Sequence, residues 1–230
     1  MGRGSSKLSE GNEKPLGGQG GNGDGEEYIT AQPYRINPET MVDALGTKGR
    51  VMSINKALDG ANPFYNGDGG AQGNFTENCQ RSVIAYEARR RGYDVIAQPT
   101  YAGDDLPIGG NWTKAFKNAN TVSVGSTSPK KAQANLEKEM KSYGNGARAV
   151  VHIPGHVFNC ENDHGKIRYV DAQTNTVYNS NNVFSRVGRK SVSIKLTRTD
   201  NLDFTETAKR AVTPVTETMR RIGRTSNKRK

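Results

Sequence analysis

Two cysteines and three histidines are the side chains of this sequence best suited to nucleophilic chemistry. A cysteine attacks carbonyl carbon only as thiolate. Its ordinary pKa, roughly 8.5, has to be lowered, usually by a helix N-terminus and a nearby imidazolium. Cys79 has the first by position: it follows Asn78 and opens CQRSVIAYEARRR, a run without Gly or Pro that stops at Gly92. It therefore sits at the positive end of the expected helix dipole. The chain offers His152, His156 and His164 for the second, and His156 starts a β-prone run directly after the rigid Pro154-Gly155 turn. Asp171 closes the next such run, Tyr169-Val170-Asp171. If residues 162–165 make the turn between the two strands, His156 and Asp171 stand opposite each other. The carboxylate would then fix the ring tautomer and stabilise the imidazolium. Cys160 lies on the same strand face as His156 and Phe158 and reads as a half-buried strand thiol. The two cysteines lack the close pairing of a zinc site, and neither a metal nor a cofactor is called for.

The elements that must hold these residues follow from punctuation and periodicity. Asn78 is a natural N-cap, and Cys79, Val83, Tyr86 and Arg90 form one stripe of the helix that follows. Pro129 to Tyr143 predicts a second helix, with Ala132, Leu136 and Met140 on one face and Gly144 at its end. Strands are expected at 93–99, 147–153, 156–162, 166–172 and 191–197, the middle three as an antiparallel meander. A β-prone run at 28–34, helical turns at 38–45, a Gly- and Asn-rich loop at 59–78 and a short helix around Trp112 and Phe116 complete the reading. A long helix followed by an antiparallel sheet defines an α+β domain.

Composition bounds the rest. Hydrophobic residues make up 33% and aromatics 7%, so part of the chain cannot contribute to a core. Residues 1–27 are dominated by Gly, Ser, Asn and charge, with almost nothing to bury, and are expected to be a disordered leader. No apolar run is long enough for a bilayer, and the N-terminus has no secretory h-region. Between Arg186 and Lys230 stand 13 Lys and Arg against 4 Asp and Glu, which accounts for nearly all of the net +10. The expected organisation is a leader (1–27), a catalytic domain (28–200, core 62–178) and a basic tail (201–230). Arg220, Arg221, Arg224, Lys228, Arg229 and Lys230 are the candidates for contact with nucleic acid. No aromatic residue interleaves them, so base stacking is not indicated.

Asn78-Cys79-Gln80-Arg81 leading into Tyr86–Val95, then Gly155-His156-Val157-Phe158-Asn159, then Tyr169-Val170-Asp171-Ala172-Gln173-Thr174 together resemble the papain-fold toxin domain. That family occurs in bacterial polymorphic toxins and beside phage head-morphogenesis proteins, and is similar to glutamine deamidase effectors. The resemblance implies a papain-like core in which the nucleophile helix packs on an antiparallel sheet. It also implies Cys79 as nucleophile, His156 as base and Asp171 as orienter, with Gln173 in support. The backbone N–H of Cys79 would be one oxyanion donor. Asn78, and Gln72 or Asn74 upstream, are further supporting or oxyanion candidates by papain analogy. The implied substrate is a protein carrying a glutamine or a peptide amide, met in the producing cell, from a phage particle or after delivery into a target cell. Deamidation is expected first and thiol proteolysis second. The competing expectation is a phage structural or DNA-associated protein that binds nucleic acid through its basic end.

Overall fold

In the computed structural model, residues 45–65, 73–100, 106, 111–178, 183–184 and 193–216 are described. The expected leader, the run at 28–34, nearly all of the turns at 38–45 and the last fourteen residues, 217–230, lie outside them. In chain order the elements are α1 (Ile54–Ala61), α2 (Gly73–Thr76), α3 (Cys79–Arg90), β1 (Val95–Ala97), β2 (Thr121–Ser123), α4 (Pro129–Ser142), β3 (Arg148–Ile153), β4 (His156–Asp163), β5 (Lys166–Asp171), β6 (Thr176–Tyr178), β7 (Lys195–Arg198), α5 (Glu206–Ala211) and β8 (Val212–Pro214). A 3-10 turn, Asn111–Ala115, carries Trp112 between β1 and β2. The class is α+β, as the sequence implies.

Six strands form one antiparallel sheet in the order β2-β7-β3-β4-β5-β6, and β1 pairs separately with β8. Both faces of the large sheet are covered. Val150, Val157, Val170 and Ala172 meet a core built with α1, α3 and α5. Val151, Phe158, Cys160 and Tyr169 meet a second core under Ala132, Leu136 and Met140 of α4. Two-sided burial explains why β4 reads as an almost continuous buried run rather than an alternating one.

α3 is buried from Gln80 through Arg89, wider than the single stripe its periodicity predicts. It is enclosed by α1, β1, β4, α5, β8 and the 3-10 turn, so its charged residues need internal partners. Each has them. Glu87 accepts from Arg91 Nε (2.8 Å) and from Arg148 Nε and Nη2 (2.9 and 2.8 Å). Glu161 accepts from Arg90 Nε and Nη2 (2.6 and 2.8 Å) and from the Tyr86 hydroxyl (2.5 Å). Arg89 reaches Asp94 at 2.6 Å and the Ala57 carbonyl at 3.1 Å. Gly92 ends the helix at φ 101, and a Cβ there would run into the Gly49 carbonyl.

The C-terminal boundary expected at residue 200 moves outward. Glu206–Ala211 is a helix whose Thr205 hydroxyl accepts from Thr207 N–H at 3.2 Å, and Val212–Pro214 pairs with β1. Ala208, Ala211 and Val212 belong to the α3 core, which is why this stretch folds despite its charge. Truncation before α5 is therefore expected to abolish the cooperative thermal transition, read by circular dichroism at 222 nm. Two further departures concern the interior. The 59–78 loop is flanked by helices, with the end of α1 on one side and α2 on the other. The expected strand at 93–99 is three residues long and joins β8 rather than the large sheet.

Candidate active site

The segment entering α3 is held by side-chain amides. Asn78 stands at the N-cap of α3, but its side chain makes no capping hydrogen bond. Its Nδ2 donates to Asn62 Oδ1 (3.1 Å) and the Gln98 carbonyl (3.0 Å), and its Oδ1 accepts from Asn62 Nδ2 (3.2 Å) and Ser82 Oγ (3.0 Å). Both donors are committed inside the protein, so this side chain has none left for an oxyanion. Instead it fixes the backbone immediately before Cys79. Gln98 is tied in turn to α5 and β8, its N–H to the Ala211 carbonyl (3.0 Å) and its Nε2 to the Val212 carbonyl (3.2 Å).

His156 and Asp171 sit where β4 begins and β5 ends. The turn between these strands is tighter than the sequence suggests. His164 and Gly165 both take left-handed φ, 53 and 87, and Asp163 pairs with Lys166. This is the two-residue hairpin that matches strand twist. Asn162 is drawn into β4, its Oδ1 accepting from Gly165 N–H at 2.8 Å. The register Asn159–Val170, carried one step on, aligns Asp171 with Phe158 rather than with His156. The two residues are diagonal neighbours on one face, not directly opposite, and the diagonal is short enough: His156 Nε2 donates to Asp171 Oδ2 at 2.8 Å.

Asp171 is 1% exposed and fully engaged. Its Oδ1 accepts from Gln173 N–H (3.0 Å), and its Oδ2 also accepts from the Tyr178 hydroxyl (2.5 Å). Burial opposes ionisation of the carboxyl, but these donors and the imidazole hold it below the usual carboxylate range. Cys79, at the start of α3, is close enough to the His156 ring to act on its ionisation. Burial would lower the imidazole's pKa, yet the hydrogen bond and charge of Asp171, with Cys79 beside them, raise it to about 9. An imidazole so placed carries its proton at neutral pH.

The other expected residues fall as follows. The Gln173 side chain donates to the Thr76 carbonyl, and its own carbonyl accepts from Asn62 Nδ2 at 2.9 Å. With its N–H on Asp171, it ties the histidine-bearing strands to the chain that leads into Cys79. Cys160 is fully buried in the α4 core, and desolvation pushes its thiol well up, so it is an inert packing residue. Gln72, the Asn74 side chain and Arg220 to Lys230 lie outside the described residues. Among the described residues, no group of three His, Cys, Asp or Glu could hold a metal ion, and no helix is long and apolar enough to cross a membrane. Three contributors went unread in the sequence: Asn62, Gln98 and Tyr178. For Tyr178 a signal existed, since Thr176-Val177-Tyr178 can extend the meander by one strand.

A cysteine at the start of a buried helix, a histidine and an aspartate paired on neighbouring antiparallel strands, and an α+β architecture define a papain-like fold. Residues 77–176 match the family described as papain fold toxin 1, glutamine deamidase. At the level of that family the associated function is glutamine deamidation by a toxin domain. No curated protein and no solved structure matches the chain.

Proposed function

We propose that this protein is a cysteine-dependent deamidase of protein glutamine side chains, with Cys79 as nucleophile, His156 as acid and base, and Asp171 as the residue that orients it. The observation carrying this reading is the His156–Asp171 hydrogen bond, whose imidazole is also acted on by Cys79 at the start of α3, all three inside the family segment. Since Nε2 is bound to Asp171, Nδ1 is the ring nitrogen left to exchange a proton with the thiol. The Cys79 thiolate attacks the side-chain carboxamide carbon, and negative charge gathers on the oxygen beside the Cys79 backbone N–H. The C–N bond breaks as His156 gives its proton to the departing ammonia. Water then attacks the thioester, with His156 taking its proton, and the side chain is released as glutamate. Peptide-bond cleavage needs the same three groups, and the family description favours the side-chain amide. The test is incubation of the purified protein with host-cell proteins, followed by peptide mass mapping. Glutamine-to-glutamate conversion, a gain of about 1 Da per site through hydrolysis of one amide, supports deamidation. New peptide termini without conversion would replace deamidase by protease.

The basic C-terminal end supports a separable proposal, contact with nucleic acid or another polyanion that localises the enzyme. Its test is salt-dependent binding to duplex DNA, lost on removal of the terminal cations. The deletion has to begin at residue 217, because one begun at 209 would remove Ala211 and Val212 from the core.

A further inference from the structure

We propose that Tyr178 is a positioning residue of the triad, its hydroxyl sharing one Asp171 oxygen with His156 and so setting how tightly the carboxylate grips the imidazolium. The inference rests on the triad proposed above, and Tyr178 lies just beyond the family segment, which ends at residue 176.

Three contacts carry it. Asp171 Oδ2 accepts from His156 Nε2 at 2.8 Å and from the Tyr178 hydroxyl at 2.5 Å, so two donors compete for one oxygen. Asp171 cannot turn away from this competition, because Oδ1 is held by Gln173 N–H at 3.0 Å and the side chain is 1% exposed. The Tyr178 ring also packs edge-on against Phe158, at 5.7 Å and 81°, while Phe158 stacks on His156 at 6.0 Å and 30°. One side chain thus touches the carboxylate through its hydroxyl and supports the imidazole through a shared aromatic neighbour. Among the described residues, the ionisable groups acting on the His156 ring are Asp171 from β5 and Cys79 from α3. Those acting on Asp171 are His156 and Tyr178, with the Gln173 N–H beside them.

A carboxylate oxygen with two donors divides its charge between them. With the hydroxyl removed, the undivided charge falls on His156, and the imidazolium holds its proton to higher pH. Tyr178 therefore keeps the acid strong enough to release its proton to a leaving group, a tempering that an Asp–His pair alone would lack.

The test is a nuclear magnetic resonance titration of the three histidine rings in wild type, Tyr178→Phe and Cys79→Ala, assigned with His156→Gln. Tyr178→Phe keeps the ring against Phe158, so the packing survives. Its His156 midpoint is expected to rise by about half a unit, the worth of one hydrogen bond, with His152 and His164 unmoved. Cys79→Ala is expected to lower the His156 midpoint, because the side chain that helps favour the imidazolium is gone. If Cys79→Ala lowers the midpoint while Tyr178→Phe leaves it unchanged or lowers it, the role of Tyr178 is overturned and the triad stands. If Cys79→Ala leaves the midpoint at its wild-type value, the thiol–imidazole pair is overturned, and with it the place of Tyr178. Equal movement of all three histidines in Tyr178→Phe would mark a general structural effect and overturn the proposal as well.

Discussion

Cys79→Ala is expected to reduce glutamine conversion by a factor on the order of 10⁴ or more, to the background of the incubation. Alanine has nothing with which to form the thioester, and the water-exchanging second half of the reaction has no intermediate to act on. The substitution removes one partly buried sulfur, and Asn78, whose amide network fixes the entry to α3, is untouched. The fold should persist, which the thermal transition checks. Mass mapping of substrate proteins incubated with wild type and variant decides the matter: equal conversion by both would remove Cys79 from the chemistry. Cys160 cannot substitute, since it is sealed in the opposite core.

The same site fixes a pH dependence. His156 has to be protonated to release ammonia, and its pKa stands at about 9. Deamidation is therefore expected to fall as pH rises through about 9, measured as initial rate against pH. Stability follows the same direction. A histidine whose value is raised on folding contributes fully below its unfolded value of roughly 6.5, and that contribution is lost as pH climbs through the folded one. Asp171 acts oppositely: its contribution is present above the ordinary carboxylate range and disappears on acidification.

The second large effect concerns stability. Glu87→Gln is expected to cost about 3–5 kcal/mol, the usual penalty for breaking a buried ion pair from one side. Glu87 is wholly buried and receives Arg91 Nε and both Arg148 donors, with Thr199 Oγ1 at 3.4 Å. A glutamine there would turn an N–H₂ group toward the Arg91 and Arg148 guanidinium groups in place of the carboxylate oxygens that now accept from them. For a chain of this size the loss should appear as a fall in Tm of roughly 10 °C or more. A shift within 2 °C in differential scanning calorimetry would show that water takes over the role of the carboxylate. Replacing the whole cluster by apolar residues is a different experiment, because matched removal leaves no orphaned charge.

Much of this was legible in the sequence where local rules suffice. α4 carries its Pro129 start, its Ala132–Leu136–Met140 face and its Gly144 stop in plain view, and tertiary packing agrees with all three. The hairpin turns at Pro154-Gly155 and His164-Gly165 were readable too, though the second was placed one residue early. Asn162 and Asp163 look like turn formers but serve as strand residues, because a side chain that bonds the turn from outside is indistinguishable in one dimension from one that makes it. α3 was misread as amphipathic for a related reason. The burial of Glu87 and Arg90 becomes intelligible only when Arg148 and Glu161, 61 and 71 residues away, fold against them. Long-range pairing also hid Asn62, whose importance lies in reaching both Asn78 and Gln173. Short strands such as β6 and β8 carry too little pattern to be seen before the sheet supplies their partners.

The order in which the chain is made adds a constraint of its own. Cys79 lies early, but Gln98, which holds Asn78 beside it, is itself held by the carbonyls of Ala211 and Val212. A polypeptide emerging from the ribosome has therefore exposed its nucleophile long before it can lock the helix that carries it. A segment more than a hundred residues downstream thus completes the frame around the start of α3.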